Sequence, residues 1–416
     1  MNKGALAGIR VVDLTSVVFG PYGTQAMADM GADVIKIEPP EGDITRGLSP
    51  ARHAGMSGLF ININRNKRSV VLDITQPAGR AALLEIVRGA DVFVHNLRPV
   101  AIRKLGIDYD DVRAVNPEIV YAEALGFGSD GPYSGRPAYD DVIQAMSGFV
   151  DLVRRQTRGQ PRLAPTVIAD KMAGMALAIA MLLALIHRLR TGQGQRVEVP
   201  MYEAFVADTL LEHLSGAVFE PPLPDRATAM GHRRALDEHR KPHRTQDGYL
   251  SVLPYTDRHW QAFFAAIGRA DLAADPKFTR YEERSRNLSE LYAMVADVMP
   301  TRTTADWSVA MDKADIPHFP IRTLEELLDD PHLKAVGFFQ EYEHPTQGRI
   351  RTTAVTTKLS VSPGDALRRP APLLGEHSHE VLREAGLSEP AIDALRRAGA
   401  TLGATAAPLH PTEANP

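Results

Sequence analysis

Several groups of residues in this chain have the types and spacing to do chemistry. Asp170 stands immediately before the run KMAGMALAIAMLLALIHRLR, which is helical in period and stops at Gly192. An aspartate there is a favoured N-cap. A helix N-terminus also favours the ionised carboxylate by about 0.3–1 kcal/mol, and only that form is a nucleophile. Glu38 closes the apolar run from Val34, at the point where a dinucleotide-binding fold puts its ribose-binding acid. That use requires a bare glycine loop after the first strand. The loop instead reads Gly20-Pro21-Tyr22-Gly23, and Pro21 and Tyr22 fill the space, so NAD is set aside. The segment from Gly126 to Pro132 could offer backbone N–H groups to an anion. Histidines and arginines from His232 to Arg244 read either as a solvated linker or as a grip for a carboxylate. His377 and His379 face different sides of a helix and have no third ligand nearby, so no metal is expected.

The elements that must position these groups alternate. Val11 to Leu14, Val34 to Glu38, Val70 to Asp73, Val92 to His95 and Ile119 to Ala122 are short apolar runs with helical periods between them. Pro21 suits a first helical turn, and Gly31 suits the position just past that helix's end. Pro77 opens and Gly89 ends another helix. Such alternation predicts an α/β fold with a large, doubly wound, Rossmann-like parallel sheet, whose ligands gather at the carboxyl ends of the strands. Glu38, Asp73 and the segment from His95 to Arg98 fall there. The expected layout is residues 1–200 as the first part of the large domain, 201–225 as a helical linker, and 226–325 as a smaller α+β domain. Residues 326–403 rejoin the large domain, and 404–416 form a disordered tail.

The chain has 416 residues, 44% of them hydrophobic, a formal net charge of −4 and no cysteine. Its basic residues are scattered, so neither nucleic acid nor an anionic membrane is expected as a partner. Without cysteine there is no disulfide, thiolate metal site or thiol nucleophile. The longest apolar run, Met172 to Ile186, falls short of the roughly 20 residues that cross a bilayer. The expectation is a soluble, cytoplasmic protein.

The block from Val11 to Arg46 resembles family III CoA-transferases, the group of formyl-CoA and carnitine CoA-transferases of the CaiB/BaiF type. The resemblance continues in NRNKRSVVLD, ADVFVHNLRP, GFGSDGPYSGRPAYDDVIQAMSG, APTVIADKMAG, TGQGQRVEVP and RRPAPLLGEHSHEVL, in the family's order over nearly the whole chain. It implies transfer of coenzyme A from an acyl-CoA thioester to a free carboxylic acid; succinyl-CoA is the donor that a carboxylate grip in the basic segment would fit. No permanently bound cofactor is implied. It also implies a homodimer in which each subunit is an open ring threaded through its twin.

By this resemblance Asp170 falls on the family's catalytic aspartate. Coenzyme A would be lined by Val18, by Leu72, Asp73, Ile74 and Thr75, by Asn96, Leu97 and Arg98, and by Lys104 and Tyr139. The formyl-CoA branch has glutamine at the Val18 position and arginine at Pro39, which weakens the case for oxalate or formate. It also leaves Arg46 or Arg68 as the conjectural partner of the ribose 3′-phosphate. Arg233 or Arg234 could hold the distal carboxylate of a dicarboxylic acceptor. The α-methylacyl-CoA racemases share the fold and use a histidine where this chain has Tyr139. Tyrosine, with a free pKa near 10, is a poor proton shuttle at neutral pH. A non-catalytic acyl-CoA-binding protein is the remaining alternative.

Overall fold

The computed structural model describes residues 4–221 and 230–403, so the expected tail and part of the proline-rich stretch after Glu220 lie outside the described residues. The chain divides into two compact units, one of residues 1–147, 164–208 and 331–416, the other of 148–163 and 209–330.

The first unit is built on six parallel strands: β1 (Arg10–Leu14), β2 (Asp33–Glu38), β3 (Lys67–Val71), β4 (Val92–His95), β5 (Val120–Leu125) and β6 (Arg196–Pro200). Their order, β3-β2-β1-β4-β5-β6, reverses direction between β1 and β4, as in the Rossmann arrangement. The sheet is buried on both faces, which is why its strands read as continuous apolar runs. Val12, Ile35, Val70, Phe93 and Tyr121 fill the core with Leu83, Ile86, Leu382 and Leu395 from flanking helices.

Charges are also buried in this sheet. Lys67 reaches Asp13 at 3.1 Å, Lys36 reaches Asp43 at 2.8 Å, and Arg46 reaches Glu38 at 2.7 Å. Burial alone would protonate Asp13, but Lys67 and Lys36 outweigh it and hold the carboxyl at about 2. Burial, reinforced by Lys36, pulls Lys67 down to about 8 against the attraction of Asp13. Lys36 Nζ also donates to the Thr15 carbonyl at 2.8 Å, and Asp13 accepts from the Thr15 amide at 2.9 Å. The network therefore fixes the loop that leaves β1.

The helix Phe19–Asp29 crosses the helix Ile168–Thr191 at a pair of glycines. A Cβ on Gly23 would lie 2.6 Å from the Gly174 carbonyl oxygen, and one on Gly174 would lie 2.8 Å from that of Phe19. No larger residue fits without separating the helices. The 24-residue helix is apolar enough to cross a membrane by length and composition, a wider span than the run read from sequence, and only 39% of its most apolar window is buried.

The C-terminal residues complete the first unit. The His377 amide donates to the Ser69 carbonyl at 2.9 Å and the Asp73 amide to that of Ala400 at 2.8 Å. His377 precedes the helix Ser378–Glu384, and a further helix, Glu389–Arg397, follows.

The second unit carries an antiparallel sheet of β7 (His243–Arg244), β8 (Tyr249–Val252) and β9 (His318–Pro320), in that order. β9 runs antiparallel to β8, with Leu250 opposite Pro320 and Val252 opposite His318. Thr256 caps the helix Asp257–Ala266, accepting from the His259 amide. Trp260, Phe263, Phe264, Leu291, Trp307 and Met311 form this unit's own core.

Candidate active site

The loops at the carboxyl ends of β1, β4, β5 and β6 enclose a cavity of about 390 Å³ in the first unit. Its lining includes Ser16, Val17, Asn96, Leu97, Arg98, Gly126, Arg136, Tyr139, Asp170 and Met201. This is the crevice where an open parallel sheet binds its ligand.

Asp170 is 7% exposed. It lies inside the first turn of the helix Ile168–Thr191, whose N-cap is Val167. The capping role expected of it belongs to Asp140. Asp140 Oδ1 accepts from the Ala169 amide at 2.7 Å and from the Asp170 amide at 3.1 Å, while its Oδ2 accepts from Gln144 Nε2 at 2.5 Å. The expected bias toward an ionised Asp170 is overturned as well. Burial first, then the charges of Asp140 and Asp141, push its carboxyl up to about 7. The macrodipole contributes about 0.3–1 kcal/mol and is outweighed.

Asn96, Leu97, Arg98 and Tyr139 line the cavity with Asp170. The Asn96 amide is already engaged: its Nδ2 donates to the Ser16 carbonyl at 2.8 Å, and its Oδ1 accepts from the Ser16 amide at 3.1 Å. It ties the β1 loop to the β4 loop. His95 does similar work, accepting from the Leu97 amide on Nδ1 and meeting the Tyr121 hydroxyl at 2.9 Å. Burial and then Arg196 lower its pKa to about 3, so it stays neutral. Arg98 is exposed at the start of the helix Pro99–Leu105, and Tyr139 is 65% exposed.

The remaining residues expected around coenzyme A do not line this cavity. Val18 is buried behind the loop and Leu72 is in the sheet core. Asp73 folds onto its own neighbours, accepting from the Thr75 amide at 3.1 Å and Gln76 Nε2 at 2.8 Å, with Ile74 between. Lys104 is exposed in the last turn of the helix Pro99–Leu105.

Arg46 and Arg68 are not free for a phosphate. Arg46 makes a two-pronged pair with Glu38, at 2.7 Å from each nitrogen, which also removes Glu38 as a ribose ligand. Arg68 is held by Asp33, Glu380 and Glu384. The glycine-rich loop is occupied too: Ser129 donates its amide to Glu198 at 2.7 Å, and Gly128 donates to Glu203 at 2.9 Å. His379 pairs with Glu389 at 2.9 Å, and no group of three or more metal-ligating side chains occurs among the described residues.

Sequence reasoning missed Val17, Arg136 and Asp140. Val17 has φ 71°, a left-handed conformation that strains a β-branched residue, and it lines the cavity. Only the fold reveals that strain. Arg136, four residues beyond an expected anion-binding segment, supplies a second cation. Asp140 was visible beside Tyr139, but its partner lies thirty residues further along.

The parallel sheet and its switch-point cavity with a buried aspartate define an α/β protein of the open, doubly wound class, built to bind a ligand at its strand ends. The profile of CoA-transferase family III matches residues 6–378, and the chain belongs to that family. It is 34% identical to the formyl-CoA:oxalate CoA-transferase of Streptomyces coelicolor, over 96% of this chain and 100% of that one. It is 32% identical to the succinate–glutarate CoA-transferase of Agrobacterium fabrum, over 92% of this chain and 96% of that one. The crystal structure of Rv3272 from Mycobacterium tuberculosis superposes with a TM-score of 0.78 at 29% identity, covering 91% of this chain and 99% of that chain.

Proposed function

We propose that this enzyme transfers coenzyme A from an acyl-CoA thioester to a free carboxylic acid, with Asp170 as the nucleophile. The observation that carries this reading is a nearly buried carboxylate in a cavity whose lining also holds Arg98 and Arg136. A carboxyl titrating at about 7 is partly ionised at neutral pH and is a more basic nucleophile than an ordinary aspartate. Its oxygen attacks the thioester carbonyl, the C–S bond breaks, and CoA thiolate leaves a mixed anhydride. The thiolate then attacks the aspartyl carbonyl, giving aspartyl-CoA thioester and the first acid. A second acid attacks that thioester, and the steps run in reverse onto the new acyl group. Thioester energy is conserved throughout, so no ATP is consumed.

Arg98 and Arg136 suit the phosphates of coenzyme A. Arg233 or Arg234 suits the far carboxylate of a C4–C5 dicarboxylate, with succinyl-CoA as donor. The protein works in the cytoplasm as an interlocked homodimer. Met175, Ile179, Leu183 and Ile186 support that assembly, because they form an exposed apolar stripe along the helix Ile168–Thr191.

A proton shuttle of the racemase kind is the second reading, favoured by one observation: a carboxyl near pH 7 suits acid–base work. Succinyl-CoA is incubated with a panel of acids, every acyl-CoA is followed by mass spectrometry, and Asp170→Asn is run in parallel. New acyl-CoA from the unmodified enzyme alone establishes transfer. Deuterium uptake from D₂O into a 2-methylacyl-CoA, without exchange of CoA, establishes the shuttle instead.

A further inference from the structure

The second unit holds a cavity of about 250 Å³, separate from the one that Asp170 lines. Three arginines and a histidine contribute to its lining, and no carboxylate does. Two of the arginines are committed. Arg284 is almost wholly buried and donates to the Phe278 carbonyl at 2.9 Å, with Asp257 on its other amine. Arg234 donates from Nε to the Tyr292 hydroxyl at 3.0 Å, and its guanidinium lies 4.7 Å from the centre of the Tyr255 ring. Arg233 is exposed and has no partner among the described residues.

Aromatic rings supply much of the remaining wall. Tyr255 and Tyr281 are 52% and 61% exposed beside the cavity. Trp260 and Tyr292 line it from the buried side. The Arg234 guanidinium over the Tyr255 ring adds a planar cation to this surface.

We propose that this cavity binds a small carboxylic acid with an aromatic or otherwise planar unsaturated body, its carboxylate on Arg233 and its flat face among Tyr255, Tyr281 and Arg234. Identifying that acid with the acceptor of the transferase rests on the reading above, whereas the binding itself does not. A saturated ring of equal size has no π face to set against these rings and the guanidinium. A neutral aromatic leaves the unpartnered cation unanswered.

Calorimetric titration of the full-length protein, without any CoA compound, separates these terms. Benzoate is expected to bind at least tenfold more tightly than cyclohexanecarboxylate, with benzyl alcohol giving no measurable heat. Arg233→Ala, an exposed substitution, should weaken benzoate at least tenfold, and Tyr255→Leu should erase the preference for the flat ring. Arg98→Ala, in the other cavity, should leave benzoate binding unchanged. Equal affinity for cyclohexanecarboxylate, unaltered benzoate binding in Arg233→Ala, or no benzoate binding would each overturn the proposal. None of these readouts depends on whether CoA is transferred.

Discussion

Asp140 holds the helix terminus that carries Asp170 and at the same time opposes its charge. One carboxylate oxygen accepts from the Asp170 amide at 3.1 Å, while the charge of that group helps to raise the Asp170 pKa to about 7. Positioning and tuning are thus joined in one side chain. An asparagine could keep the acceptor but not the charge.

With Asp170 as the proposed nucleophile, the pH dependence of kcat/KM should follow its ionisation, because a carboxylate attacks only in its ionised form. The rate is expected to rise with pH and level off above a midpoint near 7. Asp141→Asn, a change at an exposed residue, should move the midpoint down by a few tenths of a unit. Asp140→Asn should move it further and also lower the maximal rate, since an NH₂ then confronts Gln144. Stopped-flow pH profiles of the three proteins check the order.

Stability should carry the opposite imprint. The Asp170 carboxyl ionises at 3.8 when unperturbed and at about 7 in the fold. Between those values the folded chain binds the extra proton, so stability falls as pH rises through the window and the loss is complete above 7. Asp170→Asn removes this loss. At pH 8 it should be more stable than the parent by about 4 kcal/mol, and near pH 4 the two should be alike. Urea unfolding at both pH values measures the difference.

Val17→Gly should relieve the left-handed strain at φ 71°. After allowing for glycine's entropy, stabilisation of about 1 kcal/mol is expected. The same change loosens the loop beside Asp170, so kcat should fall while thermal unfolding shifts upward. A fall in both would show that the Val17 side chain, not the backbone geometry, matters at this point.

Gly174→Ala should fail for a steric reason. The new methyl would sit 2.8 Å from the Phe19 carbonyl oxygen, and backbone cannot swing aside as a long side chain does. A cost of about 1–3 kcal/mol is expected, with greater loss of activity than at Ala176, where Ala176→Ser serves as control.

Leu183→Glu puts a charge in the exposed apolar stripe of the same helix. A dimer closed over that stripe should dissociate, and light scattering should record one subunit mass. An unchanged dimer would place the interface elsewhere.

Elements whose ends are marked by local chemistry were legible in the sequence. The helix Pro77–Arg88 begins at its proline and stops before Gly89, and β4 spans Val92–His95 as its apolar run suggests. Parallel pairing followed from the alternation of helices and strands. What escaped depends on partners far apart in the chain. Asp170 looked like a cap because the real cap, Asp140, lies on another helix. Arg46 and Arg68 looked free for a phosphate because Glu38, Asp33 and Glu384 meet them only after folding. Asn96 looked like a ligand-binding amide, yet the backbone of Ser16 uses both its ends.

The bonds joining β3 to the last residues also set an order of events during synthesis. The carbonyl of Ser69 waits for His377, and the amide of Asp73 waits for Ala400, more than three hundred positions later. While the ribosome is still making the second unit, the outer strand of the parallel sheet has neither its covering helix nor its final hydrogen bonds. The second unit, whose core is complete by residue 316, is positioned to finish first. A nascent chain stalled anywhere before residue 400 would present an open sheet edge to chaperones. The unit that carries the parallel sheet, although begun first, would be the last to mature.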